Sequence, residues 1–96
     1  MSPKNKQKLE GIRKKLDKLD NKLLALIEYR TALVKEVLKL KEFKKEIVDK
    51  KRINFILNKI KGKSKKLKID PKITNRIWKN MIWTYIDFEK RNFKKK

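Results

Sequence analysis

Between residues 9 and 41 the apolar side chains Leu9, Ile12, Leu16, Leu19, Leu23, Leu26, Leu33, Val37 and Leu40 recur at alternating intervals of three and four. This is the seam of a long amphipathic helix, and it restricts the chain to architectures built around a rod. One slot breaks the repeat. Between Leu26 and Leu33 an apolar residue is due at position 30, and the chain has Arg30. A guanidinium keeps its proton and is costly to bury unpaired. Either its head snorkels out to water along an apolar stem, or an anion comes to it.

Two further cations, Arg13 and Lys41, share one flank of this helix in a column with Asp20, Ile27 and Val34. At the rise of a helix they stand ~42 Å apart, so they cannot hold one small ligand from the same rod. Arg30 and Lys41 are nearer, ~16 Å along the axis and about 20° apart around it. Two long side chains could close on a small dianion from either end of that gap. Arg13 could join them only from a second copy of the chain.

A helix over about residues 6–42 would be ~50 Å long. A compact monomer of about 100 residues has a radius of gyration near 13 Å. Such a rod would protrude unless a partner covered it, so a homo-oligomer is expected. With 96 residues, 39% of them hydrophobic, the chain supports one domain over 1–96 with a modest core.

Cysteine and histidine are both absent. Disulfides, the usual zinc sites and Ser-His or Cys-His nucleophilic machinery are therefore excluded. No apolar run approaches 18 residues, and 1–8 has no signal-peptide apolar region. A soluble, cytoplasmic protein without a membrane partner is expected. The net charge of +20 invites a nucleic-acid or other anionic partner. The bland reading is compositional drift toward lysine, which outnumbers arginine 26 to 5. The lysines spread over the polar faces of every predicted helix, and few aromatics are interleaved to stack bases. Drift is the better reading, and the position of each scarce arginine is the more informative signal.

Residues 1–8 are expected to fray, with Ser2-Pro3 as a possible helix start. The long helix should end around residues 42–45. Asp49 is suited to N-cap a second helix that carries Ile53, Ile56, Leu57 and Ile60 on one face, with Gly62 as its stop. Residues 63–68 then read as a charged link. Ile69-Asp70-Pro71 marks the start of a third helix running to about Phe93. Its broad apolar surface holds Ile73, Ile77, Trp78, Met81, Ile82, Tyr85 and Phe88, and Glu89 falls on the Trp78–Ile82–Tyr85 line. An acid there either faces water, paired with Lys90 or Arg91, or belongs to a site. The terminal lysines 94–96 read as a solvated tail. The expected fold is all-α, three helices in the order long, short, medium, needing a dimer to close its core.

The ordered set of these residues resembles the all-helical chorismate mutase family. The similar pattern runs from Leu9 to about Phe93. It comprises Ile12-Arg13-x-x-Leu16-x-x-Leu19-Asp20 through Leu26-Ile27-x-x-Arg30, then Leu33-Val34-x-x-Val37-x-x-x-Lys41 and Asp49-x-x-Arg52. It ends with Ile69-Asp70-Pro71, Ile77-Trp78, Met81-Ile82 and Tyr85-Ile86-x-x-Glu89. The resemblance implies an intertwined homodimeric helical bundle with two equivalent sites and no cofactor or metal. Arg30, Arg52 and Arg13 from the partner subunit would grip the two carboxylates of the substrate, where paired donors outperform a point charge. Lys41 would reach the ether oxygen of the enolpyruvyl group, and Asp49, Ile53, Tyr85 and Glu89 would complete the substrate-binding set. The implied reaction is the pericyclic conversion of chorismate to prephenate, promoted by selecting a reactive conformer and stabilising charge on the ether oxygen.

Three positions depart from the family pattern. Ile53 stands where glutamate usually binds the ring hydroxyl, Tyr85 where a small hydroxyl residue is usual, and Glu89 where glutamine usually donates to the ether oxygen. An ionised Glu89 would repel that oxygen and only its protonated form would donate, so activity should fall as rising pH ionises it. Ile53 and Tyr85 also resemble the isochorismate-pyruvate lyase branch of the family, which is the close alternative. Two readings from other functional classes are a non-catalytic basic helical dimer that binds nucleic acid or an acidic partner, and a degenerate mutase-like domain that senses an aromatic metabolite.

Overall fold

The structure is a computed structural model that describes residues 1–94. It contains three α-helices, α1 (Pro3–Leu40), α2 (Lys50–Lys66) and α3 (Pro71–Asn92), with one 3-10 turn, Lys44–Glu46, between α1 and α2. The described residues include no strand, so the expected all-α fold and its long, short, medium order hold. Among these residues no helix is long and apolar enough to cross a membrane.

By internal packing the chain divides into two units, Met1–Val34 and the residues from Lys35 onward. The first unit is helical from Pro3. Ser2 caps the helix: its Oγ accepts the Asn5 N–H at 3.1 Å, and Pro3 fills the first turn without missing a hydrogen bond. The seam residues Ile12, Leu16, Leu19, Leu23 and Leu26 each keep roughly half or more of their surface exposed. The helix thus displays the apolar stripe its sequence encodes without burying any residue of it.

The second unit holds the core. Ile47, Ile82 and Ile86 are buried, with Leu38, Val48, Ile53, Ile56, Leu57 and Phe93 packed around them. α2 packs along α3. Both helices start at the aspartates expected to cap them. Asp49 accepts the Arg52 N–H at 3.0 Å, and Asp70 accepts the Lys72 N–H at 2.9 Å ahead of Pro71. Of the apolar face expected on α3, Ile82 is buried, Trp78, Met81, Tyr85 and Phe88 are half-buried, and Ile73 and Ile77 are exposed.

Two boundaries differ from expectation. α1 stops at Leu40, short of residues 42–45, because Ile47 must turn inward to reach the core. Gly62 does not stop α2, which runs on to Lys66 and takes up most of the expected 63–68 link. A glycine costs about 1 kcal/mol inside a helix, which the packing of α2 on α3 outweighs. The stop lies six residues later. Lys68 adopts a left-handed φ of 57°, the Ile69 N–H reaches the Ser64 carbonyl at 2.9 Å, and the Lys68 N–H reaches that of Lys65 at 3.1 Å. That pairing closes a Schellman cap. Buried Ser64 fastens the corner, its hydroxyl 2.6 Å from the Ile60 carbonyl and 2.7 Å from the Thr74 hydroxyl. α3 ends at Asn92, with Phe93 as its cap. In the expected lysine tail, Lys94 is exposed and non-helical, and 95–96 lie outside the described residues.

Candidate active site

The second unit brings together two residues that the sequence marks as anomalous. Lys41 follows the last residue of α1, and its backbone N–H still reaches the Leu38 carbonyl at 3.2 Å. Its ammonium donates to Glu89 Oε1 at 3.1 Å. Glu89 begins the last turn of α3, three residues after buried Ile86, on a face turned inward. Its side chain is 7% exposed and that of Lys41 is 20% exposed. A pair this sheltered is held by mutual charge and hydrogen bonding, since either partner alone would lie uncompensated in a poorly solvated place. Glu89 is therefore not a helix-end acid facing water. Arg91, a conceivable partner for it, pairs instead with Asp87 at 3.0 Å on the exposed side of α3.

An ammonium has three donors and no acceptor. With one donor on Glu89, two remain for a ligand oxygen. The arrangement can thus present oriented positive charge, with a carboxyl beside it, to an acceptor that gains negative charge.

Three of the other expected residues, Asp49, Arg52 and Ile53, lie at the start of α2. Asp49 is committed to the cap, and the N–H it holds belongs to Arg52, so the carboxylate sets the first turn from which that arginine projects. The exposed Arg52 guanidinium stands 5.2 Å from the centroid of the Phe55 ring, and the Lys59 ammonium approaches the same ring at 5.7 Å. Ile53 is half-buried against the core cluster, and Tyr85 is half-buried on α3.

The remaining two cations belong to the first unit. Arg30 is half-buried on α1, as are Thr31 beside it and Val34 one turn later. Arg13 is exposed and pairs with Glu10, one turn earlier, at 3.4 Å. A surface pair of this kind contributes little and is readily exchanged for another anion.

Sequence reasoning passed over Glu46. Its carboxylate accepts the Glu42 N–H at 2.8 Å and the Phe43 N–H at 3.1 Å, and its own N–H donates to the Phe43 carbonyl at 3.0 Å. Those bonds, first to Phe43 and then to Glu42, hold the carboxyl below its ordinary value, with smaller contributions from the Lys45 and Lys41 charges. The reciprocal bonding with Phe43 resembles half of a capping box, and a glutamate three residues after Phe43 was its only sequence trace.

Comparison with known proteins points to one family. The chain is 36% identical over 77 residues to a chorismate mutase from Methanocaldococcus jannaschii, an alignment covering 79% of this chain and 78% of that protein. No solved structure matches significantly. The matched segment of the family pattern, residues 12–90, includes the α1 seam, Lys41, the Asp49 cap and Glu89. On that match, the chain belongs to the chorismate mutase type II family.

Proposed function

We propose that the chain carries out the reaction of its family, the rearrangement of chorismate to prephenate, at a site centred on Lys41 and Glu89. The observation that carries this reading is the sheltered pair itself, an ammonium 3.1 Å from a carboxyl with donors to spare. In the rearrangement the ether C–O bond breaks while a C–C bond forms, and negative charge grows on the ether oxygen. Lys41 donates to that oxygen most strongly when the charge is greatest, which lowers the barrier rather than merely binding substrate. Glu89 lies close enough to Lys41 to share the same oxygen, and it donates there when it carries a proton. No nucleophile is required, which suits a chain without cysteine or histidine.

The two substrate carboxylates need cations of fixed direction. Arg30 and Arg52 supply forked donors from one chain, and Arg13 supplies a third from the partner subunit. Asp49 contributes by setting the turn that carries Arg52. Ile53 and Tyr85 form the apolar and phenolic walls against the substrate ring.

The homodimer is supported by the exposed seam of α1. Completing the burial of Ile12, Leu16, Leu19, Leu23 and Leu26 is worth about 1 kcal/mol for each residue. An antiparallel partner rod would cover that stripe and bring its own Arg13 to the site. The excess of positive charge, +20 overall, favours capture of a dianion.

Product identification by NMR tests the reading. The pure protein is incubated separately with chorismate and with isochorismate, and Arg30→Ala serves as control. Prephenate from chorismate, lost in the control, is expected. Salicylate and pyruvate from isochorismate alone, or no turnover of either compound, would overturn it.

A further inference from the structure

We propose that Glu46 is a positioning residue for Lys41, acting as a clasp on the two peptide groups that follow it. This rests on the reading of Lys41 as the donor to the substrate. α1 has ended by Lys41, so the backbone there is no longer held by a helix on its C-terminal side. Its connection to α2 must nonetheless deliver the ammonium to within hydrogen-bonding reach of Glu89 on α3.

Two restraints achieve this. On one side, the Lys41 N–H is tied back to the Leu38 carbonyl. On the other, a single oxygen of Glu46 gathers the N–H groups of Glu42 and Phe43, at 2.8 and 3.1 Å. Glu46 is itself fixed, because the next residue, Ile47, is 3% exposed in the core with Ile82 and Ile86. Ile86 lies one turn before Glu89 on α3. The clasp therefore refers the position of Lys41 to the same helix that carries its partner. Since a shift of about 1 Å in a catalytic group can cost up to a hundredfold in rate, a connection held this way has a catalytic consequence.

The test compares wild type, Glu46→Ala, Glu46→Gln and Lys41→Ala in the full chain, by chorismate kinetics and by hydrogen exchange at the Glu42 and Phe43 amides. In Glu46→Ala, exchange at both amides should quicken, and kcat should fall about tenfold with KM changing less than about twofold. Glu46→Gln keeps one oxygen able to accept both N–H groups, so it should restore kcat to within about twofold of wild type. Should Glu46→Ala fail to fold, Glu46→Asp keeps the charge and loses the reach, and the same readouts apply. A wild-type kcat in Glu46→Ala, or a Glu46→Gln as impaired as the alanine variant, would overturn the proposal. Unchanged exchange at the two amides would overturn the clasp whatever the activity. An inactive wild type, or an unimpaired Lys41→Ala, would instead overturn the assignment of the site, with exchange still reporting on the clasp.

Discussion

Lys41 and Glu89, separated by 48 positions in the chain, meet at 3.1 Å where the end of α1 passes the last turns of α3. The contact joins a donor that suits the ether oxygen with an acid at a position where the family usually has an amide. If Glu89 serves the ether oxygen as a protonated donor, replacing it by glutamine supplies the same donor at every pH. Glu89→Gln is expected to keep kcat at or above that of wild type, because the amide offers the ether oxygen a donor without a charge that repels it. Glu89→Ala should lose about a hundredfold, as removal of an oriented donor does. A kcat in Glu89→Gln as low as that in Glu89→Ala would eliminate this role.

The same pair makes a stability prediction. Lys41→Met leaves a carboxylate that is 7% exposed without its partner. Breaking a buried pair costs roughly 3–5 kcal/mol, and because Lys41 is still 20% exposed the cost here should be smaller, about 2–3 kcal/mol. Adding Glu89→Leu removes the stranded charge and should restore most of that loss. Urea denaturation of the two single variants and the double variant measures the coupling directly. The double variant should not regain activity, which separates holding the fold from doing the chemistry.

Much of this arrangement could be read from local patterns. The α1 seam is a periodicity, and the caps Asp49 and Asp70 with Pro71 are local signals, so the number, type and order of the helices followed. Arg30 and Glu89 were each visible as a charge that breaks an apolar line, and Lys41 as a cation on the flank of the seam. That Lys41 and Glu89 pair was not visible, because contact at such separation depends on how α1 ends and on the packing of α3. Gly62 misdirected the reading because its local cost is smaller than the packing of α2 on α3, and because the left-handed residue that stops α2 is Lys68. Glu46 and Ile47 lay in a connection without periodicity, where only tertiary burial distinguishes one residue from the next.

Glu46 also has a signed pH dependence. Its carboxyl is held below its ordinary value by the Phe43 and Glu42 N–H groups, helped by the nearby Lys45 and Lys41 charges. A group lowered on folding stabilises the fold above its unfolded value, and that contribution disappears as pH falls through the folded one. The carboxyl carbon of Glu46 should therefore titrate at lower pH than that of an unperturbed glutamate in the same NMR series. The clasp should stay closed throughout the neutral range, and the Glu42 and Phe43 amide shifts should move with the same acid transition. Titration of Glu46 at its ordinary value would contradict the bonding described.

The charge of +20 makes substrate capture sensitive to salt. Raising ionic strength from about 0.01 to 1 M shortens the screening length from about 30 to 3 Å. For chorismate, a dianion, kcat/KM should fall roughly tenfold across this range, whereas kcat at saturation should change little. A kcat that falls in parallel would indicate damage to the site or the assembly instead.

The proposed sharing of each site between two chains makes a quantitative prediction about mixed assemblies. Arg13→Ala should be nearly inactive because it removes a cation from the partner's site, and Arg30→Ala because it removes one from its own. When the two inactive variants are unfolded together and refolded at equal concentration, half of the dimers combine one chain of each kind. In such a dimer one site pairs an intact Arg30 with an intact Arg13, and the other lacks both. About a quarter of wild-type activity should return, the value set by two-fold symmetry and random pairing. No recovery would mean that each site takes Arg13 and Arg30 from the same chain, whereas an active Arg13→Ala on its own would mean that Arg13 has no part in the site. Activity near one half would require preferential formation of the mixed dimer, which sedimentation of differently tagged chains would reveal.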